Sequence, residues 1–145
     1  MTSIVTILHG EKEFIPLILN NFKNFNINDD ESLELVVVDD GNENLKEYFS
    51  EITNCLYLHL DCKEKEKFMD NILEGYKQPN KSYLYYEKKR NKLPNGFLRD
   101  YGCGMSNHEN IFHMNMDCIY HPKSIKRKES FMKRVGGECI FCDTT

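Results

Sequence analysis

Two strand-like segments of this chain end in residues that can do chemistry. Leu35-Val-Val-Val-Asp-Asp-Gly41 is an apolar run that stops on two carboxylates and a glycine. Asn110-Ile-Phe-His-Met-Asn-Met-Asp-Cys-Ile-Tyr-His-Pro122 stops on Asn115 and Asp117. With a strand's period of two, His113, Asn115 and Asp117 share one face, and Phe112, Met114 and Met116 share the other. Such a tip offers hard oxygen donors, the kind that hold a divalent cation against a phosphate. Taken singly, each pattern is also ordinary turn and capping chemistry. Their meaning depends on what places them together.

The elements around them alternate. Ser3–Leu8 reads as a strand. Ile15, Ile18, Leu19, Phe22 and Phe25 form the stripe of an amphipathic helix with Pro16 in its first turn. The Asn- and Asp-rich stretch Asn26–Asp30 ends it. Leu33–Val38 has the near-continuous apolar character of an inner parallel strand. Leu45–Ile52 reads as a short helix, Cys55–Leu60 as a strand, and Lys63–Tyr76 as a charged helix with Phe68, Ile72 and Leu73 inward. Gln78–Gly96, with Lys88-Lys89-Arg90, reads as a long loop. Phe97–Ser106 as a helix, Asn110–Asn115 as a buried strand, Pro122–Arg134 as a helix and Glu138–Cys142 as a last strand complete the reading. The pattern predicts an α/β fold, an open and mostly parallel sheet with helices on both faces.

In such sheets ligands bind beyond the carboxyl ends of the strands, where the strand order reverses. That rule selects His9-Gly10-Glu11, Asp39-Asp40-Gly41 and Asn115-Met116-Asp117. Neither a GxGxxG fingerprint nor a Walker loop is present. Bound phosphates would then need another source of charge neutralisation, and a cation on Asp117 can supply it.

The chain's 145 residues fit one domain, residues 1–145, and 40% hydrophobic residues suffice for a core. A net charge of -4 gives no global field for nucleic acid or an anionic membrane. No apolar run approaches the roughly 20 residues of a membrane span. The opening residues lack the features of a signal peptide, so a cytoplasmic location is expected. The six cysteines are then expected to be reduced. Cys139-Ile-Phe-Cys142 has zinc or redox spacing, but its alternation suits a strand and no second CxxC completes a site. Small buried hydrophobes are the expectation there.

In order and spacing, four segments resemble the glycosyltransferases of the GT-A fold, family-2-like. Ser3-Ile-Val-Thr-Ile-Leu-His-Gly-Glu11 resembles that family's first strand and donor-side loop. Leu35–Gly41 resembles its VVVDDGS element, with Asn42 in place of Ser. Arg99-Asp-Tyr-Gly102 resembles its ARNxG helix, with Asp100 in place of Asn. Asn115-Met116-Asp117 falls where the family has DxD. The segment around His113–Ile125 also resembles glycosyltransferase domains of large DNA viruses.

The resemblance implies a truncated GT-A-like, Rossmann-like fold carrying the donor-binding half. It implies a nucleotide-sugar donor (a UDP- or GDP-sugar), Mn2+ or Mg2+ as cofactor, and an unknown glycan or protein acceptor. Ile7 and His9 would pack beside the base, Asp39 would accept a hydrogen bond from it, and Asp40 would buttress the loop. Arg99 would approach the donor, and Asp117 would coordinate the metal with Asn115 beside it. The neutral amide of Asn115 brings no charge to the metal. No residue matches the family's catalytic base. A non-catalytic module of the same fold is the alternative, and an unrelated doubly wound protein is a third reading.

Overall fold

The runs Ile4-Val5 and Leu35–Val38 leave no face for water, and the chain buries them completely as neighbouring strands of one sheet. The computed structural model describes residues 1–26, 32–75 and 91–140. Its strands are β1 (Thr2–Leu8), β2 (Leu33–Asp39), β3 (Cys55–His59) and β4 (Asn110–His113). They lie in the order β3-β2-β1-β4, and every pairing is parallel. The chain order reverses between β1 and β4, which puts a switch point beside β1. The helices are α1 (Ile15–Phe25), α2 (Cys62–Gly75), α3 (Asn95–Met105) and α4 (Ser124–Val135). This is the α/β fold expected from the alternation.

The two faces of the sheet have separate cores. Ile4, Leu8, Leu35 and Val37 meet Ile15, Ile18, Phe22 and Phe25 of α1 and Ile125 of α4. Val5, Val36 and Val38 meet Met69 and Leu73 of α2 and Leu98 of α3. The register sets Leu8 beside Asp39 and Asp39 beside His59. The loops leaving β1, β2 and β3 therefore start level.

Several elements differ from the sequence reading. Among the described residues β4 is an edge strand, half-exposed, pairing only with β1. The alternation beyond it holds: Met114 is buried, Phe112 and Met116 pack on the α1 core, and His113, Asn115 and Asp117 are exposed. Residues 138–140 form no strand, and Cys139 is exposed, not a buried hydrophobe. The short helix expected after Asp40 is one 3-10 turn, Lys46–Phe49. Cys142, Lys88-Lys89-Arg90 and most of the expected loop from Gln78 lie outside the described residues. The five described cysteines are free thiols.

Helix α3 runs through Gly102 and Gly104 although glycine is a poor helix former. Contact explains the first. A Cβ on Gly102 would lie 2.6 Å from Val5 Cγ1 and 3.1 Å from Val38 Cγ2, both short, stiff side chains. The helix lies directly on the sheet because this residue has no side chain. Gly102→Ala should lower stability, because overpacking costs about 1–3 kcal/mol against about 1 kcal/mol of helix propensity gained. Gly104, where a Cβ meets nothing within 4 Å, is the control. Gly104→Ala should raise the urea midpoint while Gly102→Ala lowers it; equal shifts would show that α3 does not rest on Gly102.

Candidate functional site

The loops leaving β1 and β2 touch back to back. Gly10 has φ of 88°, a left-handed value that favours glycine. A Cβ on Gly41 would lie 2.5 Å from Gly10 Cα, so the two backbones meet where no side chain fits. The buried Asp39 carboxylate fastens this contact. Its Oδ1 accepts the N–H of Gly10 at 3.0 Å and of Gly41 at 2.9 Å, and its Oδ2 accepts the Tyr57 hydroxyl at 2.5 Å. Tyr57 in turn accepts the Leu45 N–H at 3.0 Å. His59 Nε2 donates to the Gly41 carbonyl at 2.8 Å. The Tyr57 hydroxyl is pushed well above its ordinary range, first by burial and then by its bond to Asp39.

Asp40, also buried, makes a second hub. Its Oδ1 faces His9 Nδ1 at 2.5 Å, and its Oδ2 accepts the Leu93 N–H at 2.7 Å. His9 Nε2 faces Asn95 Oδ1 at 2.9 Å. The ring donates from Nδ1 to Asp40; at Nε2 an imidazolium donates to the Asn95 amide oxygen, and a neutral ring accepts from the Asn95 NH2 after an amide flip. Lys65 of α2, 3% exposed, donates from Nζ to the carbonyls of Asp40 at 2.7 Å and Asn91 at 3.2 Å. Two buried carboxylates, the His9 ring and the Lys65 ammonium thus sit together at the carboxyl edge of the sheet. They bind the β1 and β2 loops to α2 and to the segment entering α3.

Burial works against the charge on His9, but the hydrogen bond and attraction of Asp40, with Asn95 and Glu11, outweigh it and raise the pKa. A histidine raised in the folded state contributes stability that is full below its unfolded pKa of about 6.5. That contribution disappears as pH rises through the folded value. His113 has the opposite sign, lowered by burial and then by Arg99. The His9 effect is therefore read as a difference. The stability gap between wild type and His9→Gln should shrink as pH rises above about 6.5. A gap that does not change with pH would assign His9 a neutral ring.

The site residues picked from the sequence fall into three groups. His9, Asp39 and Asp40 come together, but both carboxylates are buried and bonded to the chain's own donors. As it stands, Asp39 shapes the loop pair and presents no open edge to a ligand. Asp40 buttresses the loop. Ile7 is half-buried on the α2–α3 face of the sheet. Arg99 lies one turn along α3 from Asn95 and borders a cavity of about 680 Å³ with Glu109 and His113. Cys103 Sγ lies 3.9 Å from His113 Nε2, and its pKa is raised by burial and then by Asp100, so the thiol is not activated.

Asn115 and Asp117 follow β4 and are exposed. Their hydrogen bonds are local. The Asn115 N–H donates to the Tyr120 hydroxyl at 2.8 Å, and Cys118 Sγ lies 3.5 Å from Asp117 Oδ1. Among the described residues no three His, Cys, Asp or Glu side chains converge as a metal cage. Asn115 and Asp117 carry oxygen donors, the atoms that hard cations take as ligands.

The sequence reading missed Lys65, Tyr57 and His59. Lys65 left a signal: it stands four and eight residues before Met69 and Leu73, on the apolar stripe of α2. A lysine on that stripe must find carbonyls or a carboxylate. Tyr57 and His59 gave no local sign.

The fold and this edge define an open, parallel α/β protein whose polar loops gather at the carboxyl ends of its strands. It is similar to the crystal structure of S. aureus TarS 1-349, with a TM-score of 0.57 and 15% identity, over 92% of this chain. That likeness shows a glycosyltransferase-like fold. The chain covers 32% of the TarS chain, about a third of its length. No protein-family model matches the sequence, and no curated protein matches it.

Proposed function

We propose that the chain is the donor-binding part of a family-2-like glycosyltransferase. It binds a UDP- or GDP-sugar at the carboxyl edge of the sheet, and the sugar passes to a glycan or protein acceptor. The observation that carries this reading is the joined pair of loops, His9-Gly10 and Asp39–Gly41, beside the switch point of a glycosyltransferase-like fold.

The chain's residues divide the work. Asp39 and Asp40 keep the loop pair rigid, so that Ile7 and His9 form a fixed wall for the base. Such preorganisation lowers the entropy lost on binding. Arg99, exposed on α3, would meet anionic groups of the donor. Asp117, with the amide oxygen of Asn115, would hold Mn2+ or Mg2+. When bound, the metal stabilises the departing nucleoside diphosphate as a Lewis acid.

A non-catalytic module of the same fold is the second reading. The inward, buried carboxylates of Asp39 and Asp40 favour it. Two measurements separate the readings. A thermal-shift series with UDP- and GDP-sugars, with and without Mn2+, should show metal-dependent stabilisation, because a ligand of the native state raises stability by mass action. Nucleoside diphosphate release stimulated by an acceptor should then distinguish transfer from binding alone. Absence of any stabilisation would overturn the donor-binding reading and leave a structural module of the same fold.

A further inference from the structure

The chain is acidic overall, but residues 121–140 carry six Lys or Arg against two Glu, a local charge of +4 in a protein of -4. Helix α4 divides that charge by face. Its inner face holds the buried Ile125, Lys128 over the Phe112 ring at 4.8 Å, and Glu129, which accepts the Thr2 hydroxyl. Its outer face, with the approach to it, presents Lys123, Lys126, Arg127, Phe131 and Arg134. With Phe25 and Pro122 these residues line an open groove of about 610 Å³ that has no acidic lining residue. Among the described residues, no ion pair involves these cations.

Apolar groups accompany the charge. Phe131 is 45% exposed and Val135 56%. Phe131 and Val135 are one helical turn apart, and the Arg134 guanidinium lies 5.4 Å from the Phe131 ring centroid. A soluble polyanion would use only the cations. A bilayer surface with anionic lipids uses both, taking Lys and Arg at the phosphates and apolar tips at the acyl boundary. We propose that the outer face of α4 is a peripheral docking surface for membranes rich in anionic phospholipid. This surface is separate from the carboxyl-edge loops, and the inference does not depend on the function proposed there.

The test is sedimentation of the full chain with phosphatidylcholine vesicles, with and without phosphatidylglycerol. Binding should appear only with the anionic lipid and weaken as salt rises. Each basic residue near such a surface contributes about a fivefold factor, so Lys126→Glu, Arg127→Glu and Arg134→Glu together should reduce partitioning by at least about 100-fold. Phe131→Ser should reduce it by about fivefold. All four side chains lie on an exposed face, and thermal melts of the variants check that they fold. The chain has no Trp, so Phe131→Trp introduces a lone reporter. Its emission should shift to the blue with anionic vesicles and stay unchanged with polyphosphate. Three outcomes would overturn the proposal: no vesicle binding, binding to polyphosphate alone, or vesicle binding that Phe131→Ser leaves unchanged.

Discussion

Asp40→Ala should cost about 3–5 kcal/mol, the range for breaking a buried ion pair by removing one partner. The carboxylate has no exposure to water and serves two donors, the His9 ring and the Leu93 N–H. Alanine leaves a buried amide without an acceptor and, where His9 is protonated, a cation without its counter-ion. Folded proteins hold only about 5–15 kcal/mol in total, so this one change removes much of the margin. His9 can relieve part of the penalty by losing its proton, so the loss should be smaller above neutral pH. Asp40→Asn keeps one acceptor for Leu93 and should fall between wild type and Asp40→Ala. Urea denaturation at two pH values measures all three. A loss below about 1 kcal/mol, the scale of an exposed pair, would mean that water reaches this hub.

Asp117→Ala should lower Mn2+-dependent affinity for a nucleotide-sugar by roughly 100-fold or more, because it removes the one charged protein ligand assigned to the metal. Asn115→Asp should act in the opposite direction by adding a carboxylate to a hard-cation site. Both side chains are exposed, so neither change should disturb folding, and melting without ligand provides the control. Titration calorimetry with and without Mn2+ reads the effect. Unchanged Mn2+-dependent affinity in Asp117→Ala would falsify the metal assignment while leaving the fold and the loop hub untouched.

The largest errors of the sequence reading concern environment rather than element type. The period of two in 110–117 is correct, but it does not say how many neighbours a strand has, and β4 proved to be an edge. The alternation through Cys139 suggested a strand, yet residues 138–140 pair with nothing in the sheet. A strand needs a partner, and periodicity does not supply one.

What the sequence determined by itself is the alternation of elements, the parallel sheet and the polar strand ends. These follow from local rules: apolar stripes at helical spacing, a continuous apolar run for an inner strand, and a glycine turn after it. The tertiary structure alone decided what those strand ends do. Asp39 reads as an acceptor for a ligand and Asp40 as the buttress of its loop; in the fold both are buried anchors of the two loops. Their partners Gly10, Tyr57, Leu93 and Lys65 come from four separate segments. Whether a carboxylate faces a ligand or the chain's own donors depends on which segments the fold brings within about 3 Å, the reach of a hydrogen bond. No local pattern encodes that distance. The same holds for α4, whose solvated charges became a directed surface only once Ile125 had fixed which face points outward.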